Sequence, residues 1–214
     1  MRYQPHHNPY QIVTLFEEEM ARYTGAPLAV AVDSCTNALF LACTWMKVQT
    51  VTIPSRTYLS VPQSIQHAGG EVLLEDISWK GMYALKPYPI FDAALRLTSQ
   101  MYIPGTLICL SFHYKKHLPI GKGGMILCDD PEAADWFRRA RYEGRGPLPY
   151  RQDTVPFAGW NMYMTPAEAA TGLSLMQNLL INNEDLVEDP DYRDLSEFGF
   201  MQATLAPVSS FRML

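Results

Sequence analysis

The feature that most constrains this chain is a repeated order of short apolar run, tight turn and helix-spaced segment. "LAVAV" at residues 28–32 leads into "DSCTNALFLACTWM", "VTIP" at 51–54 leads into "SRTYLSVPQSIQHAGG", and "GEVLLED" at 70–76 starts the order again. Short aliphatic runs bounded by turn residues read as buried strands, and apolar residues three and four apart read as one face of a helix. Their alternation predicts an α/β fold with a mainly parallel sheet, since parallel neighbours are joined by helical crossovers.

The rest of the chain extends the order. Residues 11–24, "QIVTLFEEEMARYT", space Ile12, Leu15, Phe16, Met20 and Tyr23 as a helix that Gly25 stops. "YPIFDAA" (88–94) and "TLICLSF" (106–112) read as further strands, and "GGMILCDD" (123–130) as a hairpin-like return. "PEAADWFRRARYEG" (131–144) reads as a helix between Pro131 and Gly144, followed by a loop at 145–158 with three prolines. Residues 165–186 carry another helix, opened by Thr165, Pro166 and Glu168 at the spacing of a capping box. The acidic stretch after residue 187 has no strong period. The expected organisation is an α/β domain at 1–186 and a C-terminal extension at 187–214.

Composition narrows the class. With 214 residues, 48% of them hydrophobic, the chain can bury the core of one large domain. A net charge of -5 leaves no basic footprint for nucleic acid. Cys35, Cys43, Cys109 and Cys128 form no C-x-x-C pair and three of them sit in apolar or small-residue stretches, which suits reduced thiols and a cytoplasmic chain. No window reaches ~18 consecutive apolar residues, and the N-terminal stretch has no apolar core of signal-peptide length, so no membrane partner is expected. His6 and His7 have no cysteine or carboxylate at ligand spacing and read as a loop pair; no metal is expected.

In open α/β sheets ligands bind at the carboxyl ends of the strands. The residues there are Ser34, Cys35 and Thr36; Pro54 to Tyr58; Asp92; and Ser111 to Lys116. "SFHYKKHLPIGKGGMI" (111–126) sends two adjacent lysines from an apolar run towards a glycine-rich turn. Desolvation disfavours an ammonium, and a neutral amine attacks carbonyls, so Lys115 or Lys116 is a Schiff-base candidate. The helix opened by Ser34 to Thr36 favours a phosphate, and Ser111 adds a hydroxyl. Tyr58 offers a ring face, and Asp92 a carboxylate that would keep a pyridine nitrogen protonated. The set suits a phosphorylated pyridine aldehyde. Taken singly, each residue has a plainer reading: solvated loop lysine, turn serine, capping aspartate, packed tyrosine.

The blocks "FEEEMARYTG", "VAVDSCTNALFLA", "IPSRTYLS", "HAGGEVLLEDI", "FDAALRL", "SFHYKKHLPIGKGGMI", "RRARYEGRG" and "GWNMYMTPAEAATGL" follow one another over about residues 16–173. In that order the chain resembles the DegT/DnrJ/EryC1/StrS aminotransferases, fold-type I pyridoxal-phosphate enzymes that aminate nucleotide-linked keto-sugars. The resemblance implies the three-layer αβα large domain of those enzymes. It implies Lys116 as the catalytic Schiff-base lysine, with Lys115 as a neighbour that helps repel its proton. Cys35, Thr36 and Ser111 would hold the phosphate of pyridoxal 5'-phosphate (PLP), Tyr58 would stack on its ring and Asp92 would pair with its nitrogen. Asn161 would reach the phosphate of the neighbouring subunit, which implies a homodimer with a shared active site and helix 165–183 near the interface. In its own chain Asn161 reads as a loop cap. The implied donor is an amino acid such as glutamate, and the acceptor a keto-sugar nucleotide or related ketone.

The chain also departs from that pattern. Cys35 stands where relatives carry glycine, Leu95 where they carry glutamine or histidine, and Tyr163 where they often carry arginine. Only 15 residues separate Asp76 from Asp92, where relatives place a further strand and helix. The sequence ends soon after "GWNMYM", where relatives build a small C-terminal domain, so a shortened form with that domain largely missing is expected. Leu95 and the missing lid leave a second reading, a non-catalytic dimeric binding or scaffold protein. A third, dehydration or elimination, fits relatives with histidine in the lysine's place; Lys116 speaks against it.

Overall fold

The computed structural model describes residues 10–187 and 192–203. The expected His6–His7 loop pair lies outside these residues, as do 188–191 and 204–214 of the expected extension. Five strands pair in the order β1 (Leu28–Val32), β7 (Gly124–Cys128), β6 (Leu107–Ser111), β5 (Ile90–Asp92) and β4 (Tyr83–Ala84). Two more, β2 (Thr50–Pro54) and β3 (Glu71–Glu75), pair in parallel. They meet the first sheet where the Thr52 N–H donates to the Lys86 carbonyl at 2.8 Å and the Lys86 N–H returns a bond of 3.1 Å.

The sheet is mixed, which corrects the expectation of a mainly parallel one. β5 and β6 run parallel, but β7 is antiparallel to both β6 and β1, and β4 is antiparallel to β5. Both reversals follow from the connections. Residues 85–89 alone join β4 to β5, far short of the dozen or so that a parallel crossover takes. Residues 112–123 fold back as an extended hairpin, with Phe112 N–H on the Gly123 carbonyl at 2.9 Å and Gly121 N–H on the Phe112 carbonyl at 3.1 Å. In the short interval between Asp76 and Asp92 the chain therefore builds a hairpin arm, β4, between β2 and β5.

Alternate residues of the central strands face two cores, as the period of two dictates. Val30, Val32, Cys109, Ile126 and Cys128 turn towards α2 (Cys35–Met46), α3 (Ser60–His67) and α4 (Pro131–Ala140). Ala29, Ala31, Ile108, Leu110, Met125 and Leu127 turn towards α1 (Gln11–Thr24) and α5 (Pro166–Met176). Helices thus cover both faces, the three-layer αβα arrangement, and the strands read as unbroken apolar runs for that reason.

Two helices are shorter than the sequence suggests. α4 closes at Ala140, and the turn after it ends on Gly144 at φ 80°. α5 has its capping box at Thr165 and Glu168 but stops at Met176. Beyond it the chain turns back along residues 95–99: Ser99 N–H bonds the Ile181 carbonyl at 3.0 Å and Leu186 N–H the Leu95 carbonyl at 2.9 Å. Those bonds to another segment replace the ones a longer helix would make. Further on, Leu195 is fully buried in the α2–α4 core and its N–H bonds the Ser55 carbonyl at 2.8 Å, just before the short helix α6 (Gly199–Ala203).

Candidate active site

Strands β1, β2, β3, β5 and β6 point the same way, so their carboxyl ends share one edge of the sheet. Ser34 to Thr36, Ser55 to Tyr58, Asp92 and Ser111 all come to that edge. Of Asp33 and Ser34, Ser34 is the cap of α2: its Oγ accepts the Asn37 N–H at 3.2 Å. Asp33 backs it up, accepting from Asn37 Nδ2 at 2.6 Å and from Lys122 Nζ at 3.1 Å. The N–H groups of Cys35 and Thr36 precede the helix's own bonding and are available to an anion. Cys35 is the first helical residue and is not in the left-handed region, so replacing the relatives' glycine costs no backbone strain here.

Thr36 Oγ1 and Ser60 Oγ share a hydrogen bond of 2.8 Å, and Ser64 Oγ donates to the Thr36 carbonyl at 2.9 Å, which locks the start of α3 to that of α2. Ser111 pairs with Gly124 across β6 and β7, and Gly124 in turn lies against the Ser34–Cys35 backbone, where an added Cβ would meet Ser34 C at 2.4 Å. Only a glycine-sized residue therefore separates Ser111 from the start of α2.

Asp92 is 4% exposed, and its three partners come from β4, the turn after β5 and the start of α2. Tyr83 OH donates to Oδ2 at 2.9 Å, and the Tyr83 oxygen shares a 2.8 Å hydrogen bond with Thr57 Oγ1. The Ala94 N–H donates to Oδ1 at 3.0 Å. The Cys35 thiol lies 3.9 Å from Oδ1 and 3.7 Å from the Cys109 carbonyl. Burial raises the Asp92 carboxyl above its ordinary value, while bonds from Ala94 and Tyr83 and the charge of Lys116 act against that rise. Burial, reinforced by the Asp92 charge, pushes the Cys35 thiol and the Tyr83 hydroxyl well up.

Lys116 is half-buried on the turn after β6, with its N–H on the His113 carbonyl at 2.9 Å. Its charge favours the ionised forms of both Asp92 and Cys35. Lys115 is exposed, with Nζ 5.9 Å from the centre of the Tyr114 ring. His113 is exposed and held below its ordinary value by burial and the two lysines, and His117 bonds the Glu184 carbonyl at 2.8 Å.

The remaining expected residues are less tightly gathered. Tyr58 sits just before α3, 53% exposed, its ring 6.4 Å from that of Tyr192. Asn161 is exposed and donates to Glu143 in its own chain, beside the Tyr142 backbone, rather than to the Asp92–Lys116 group. Leu95 is buried and aliphatic, and Tyr163 packs edge-on against Tyr10 and Tyr142. Sequence reasoning missed Tyr83, and it placed Thr57 within the Pro54–Tyr58 strand end without giving it a role. The available signal was the short, proline-bearing link between Tyr83 and Asp92, which predicts a hairpin with the two residues opposite one another.

The donor set fits a phosphorylated pyridine aldehyde. Hydroxyls of Thr36 and Ser111 flank a helix start, a lysine amine stands within electrostatic reach of a buried carboxylate, and three donors on Asp92 leave one of about four lone-pair directions for a ring N–H. Among the described residues, no group of three or more His, Cys, Asp or Glu could hold a metal ion. Among them, too, no helix is long and apolar enough to cross a membrane.

Comparison with known proteins places the chain by sequence and by fold. The sequence pattern of the DegT/DnrJ/EryC1/StrS aminotransferase family matches residues 4–93 and 103–185. The spore coat polysaccharide biosynthesis protein SpsC of Bacillus subtilis is 26% identical over 226 aligned residues, covering 78% of this chain and 57% of that protein. GDP-perosamine synthase of Caulobacter vibrioides is 26% identical over 214, covering 79% and 57%. The chain thus spans little more than half the length of these curated relatives. Among solved structures, AtS13 from Actinomadura melliaura superimposes with a TM-score of 0.68 at 20% identity, over 78% of this chain and 60% of that one, a likeness of fold.

Proposed function

This chain belongs to the DegT/DnrJ/EryC1/StrS aminotransferase family, and we propose that it binds PLP at the edge formed by α2, β5 and the β6–β7 turn and uses it in amino transfer. When bound, PLP supplies a carbonyl for an amine and an electron sink for proton removal next to nitrogen. Thr36 and Ser111 bind the phosphate together with the first N–H groups of α2. Asp92 accepts from the ring nitrogen, and Tyr58 covers one ring face. Lys116 would supply the amine that holds the aldehyde and, once an incoming donor amine has displaced its nitrogen, would take up and return the proton as general acid and base. The acceptor is a keto-sugar nucleotide or related ketone, a reading supported by the names of the polysaccharide-biosynthesis and GDP-perosamine relatives, and the donor is an amino acid such as glutamate. Asn161 reaches the phosphate of a second copy in a homodimer.

The observation that carries this reading is the contact of Cys35, at the start of α2, with Asp92, at the end of β5, beside the strand that leads through Ser111 to the Lys116 turn. A visible spectrum of the protein with PLP tests it: a yellow band in wild type, absent in Lys116→Ala and bleached by glutamate, is the expected result. A second reading, a binding protein without turnover, rests on Leu95, whose buried aliphatic side chain offers no hydrogen bond where relatives have a polar group. A band that no amino donor bleaches would favour it, and a colourless protein would remove PLP altogether.

A further inference from the structure

We propose that Tyr83 is the positioning residue of this site: with Thr57 it forms a hydroxyl chain that fixes the Asp92 carboxylate and keeps it an acceptor for a protonated ring nitrogen. The proposal rests on the PLP reading above for its purpose, but its physical content belongs to this chain alone.

Tyr83 and Asp92 stand directly opposite one another in the β4–β5 pair, so their contact is built into strand register. Side chains of directly opposed residues lie on the same face of a sheet. Tyr83 has a single hydroxyl proton, and the carboxylate at 2.9 Å takes it. The Thr57 hydroxyl, 2.8 Å from the same oxygen, must then be the donor in its own bond with Tyr83. The chain runs one way, from Thr57 through Tyr83 to Asp92. All three residues are buried, at 3%, 7% and 4% exposure, so water does not compete for these bonds.

Burial alone would drive Asp92 to keep a proton. A protonated Asp92 would offer the ring nitrogen an O–H in place of an acceptor. The groups that face it are Tyr83 on β4, Cys35 at the start of α2, Cys109 on β6 and Lys116 on the turn after β6. Tyr83, Cys35 and Cys109 are all pushed well above their ordinary values and stay neutral. Lys116 is the one cation among these groups, and it is the residue proposed to give up its charge. The Ala94 N–H and the Tyr83 hydroxyl are therefore the supports for the Asp92 anion that do not vanish when Lys116 reacts, and of the two only the Tyr83 bond comes from a side chain that register places there. Thr57 is also the neighbour of Tyr58, so the chain ties the ring-covering loop to the base of the site.

The test is the titration of Asp92 followed by carboxyl-carbon NMR in the full chain without cofactor, with Asp92→Asn identifying the resonance. Tyr83→Phe keeps the ring and removes the hydroxyl, and Asp92 is expected to titrate about one to two units higher. Thr57→Val leaves the Tyr83–Asp92 bond in place and should give a smaller shift of the same sign; it carries the test if Tyr83→Phe does not fold. A folded Tyr83→Phe with Asp92 unmoved overturns the proposal, as does an unmoved Thr57→Val where only that variant folds. PLP binding, read separately by fluorescence quenching, distinguishes the two levels. A shifted titration with no PLP bound by wild type supports the hydroxyl chain and rejects the cofactor reading. An unmoved titration with PLP still bound rejects the chain and leaves the cofactor reading standing.

Discussion

The Cys35 thiol and the Asp92 carboxylate lie 3.9 Å apart, where the first turn of α2 meets the end of β5. Burial and the carboxylate charge push this thiol well up, so at pH 8 it stays protonated and is a poor nucleophile. Burial pushes Cys109 up as well, and Cys43 and Cys128 to about 12. Folded protein at pH 8 is therefore expected to resist iodoacetamide at all four cysteines, and to react at all four in guanidinium. Mass spectrometry of the labelled peptides checks this; rapid labelling of Cys35, the half-buried one of the four, would contradict the raised thiol derived for it.

Asp92 also carries a stability cost with a definite sign. Its carboxyl is raised by burial, so the folded state binds this proton more tightly than the unfolded chain does. The group's contribution to stability is complete below the unfolded pKa of ~3.9 and is lost as pH rises through the raised folded value. Asp92→Asn should then stabilise the cofactor-free protein at neutral pH, by on the order of 1 kcal/mol or a few degrees in Tm. The advantage should shrink as pH falls towards 4, which melting curves of both proteins across that range would show.

These two residues also mark how much of the site was legible in the sequence. The apolar runs located β1, β2, β5 and β6, and the residues at or just past the carboxyl end of those runs include Cys35, Asp92 and Ser111. Period and capping chemistry are local, and local rules found them. Three features escaped because they depend on distant contacts. Strand direction at β4 depends on which neighbour its short hairpin leaves it to pair with, whereas the return at β7 is already hairpin-like in the sequence. The end of α5 is set by bonds from residues 181–186 to the 95–99 segment, which compete with helix continuation. Tyr83 lies in "DISWKGMYALKPY", a stretch with no clear period, and it acquires a role only when β4 folds opposite Asp92.

That hairpin has an anchor which can be cut. Arg96 donates two hydrogen bonds to Asp185, at 2.7 and 2.6 Å, and Asp185 lies against Gly81 two residues before Tyr83. The pair is partly buried and bidentate, the geometry in which an ion pair contributes measurably. Arg96 holds the Asp185 carboxyl below its ordinary value. The stabilisation is thus present above the unfolded pKa and is lost as pH falls through the lowered folded one. Arg96→Leu should cost about 1–3 kcal/mol in urea unfolding at pH 7 and less at low pH. A double-mutant cycle with Asp185→Asn should return most of that cost as coupling, and additive single effects would show that the pair does not act as a unit.

The last prediction concerns the floor of the phosphate site. A Cβ at Gly124 would stand 2.4 Å from Ser34 C and 2.5 Å from Cys35 N, both backbone atoms that cannot swing aside. Its φ is not in the left-handed region, so the constraint is contact with α2 and nothing else. Gly124→Ala must move the start of α2 away from Ser111, at about 1–3 kcal/mol of stability. If the first N–H groups of α2 and the Ser111 hydroxyl bind one phosphate together, PLP affinity should fall by well over tenfold, since both arms lose register. Gly105→Ala is the control: nothing lies within 4 Å of its Cβ, but φ is 77°, so it brings backbone strain at the amino end of β6, away from the helix. It should lower Tm by a comparable amount and leave PLP affinity nearly unchanged. Equal loss of affinity in the two variants, measured by fluorescence titration, would mean that the contact between β7 and α2 does not set the spacing of the phosphate donors.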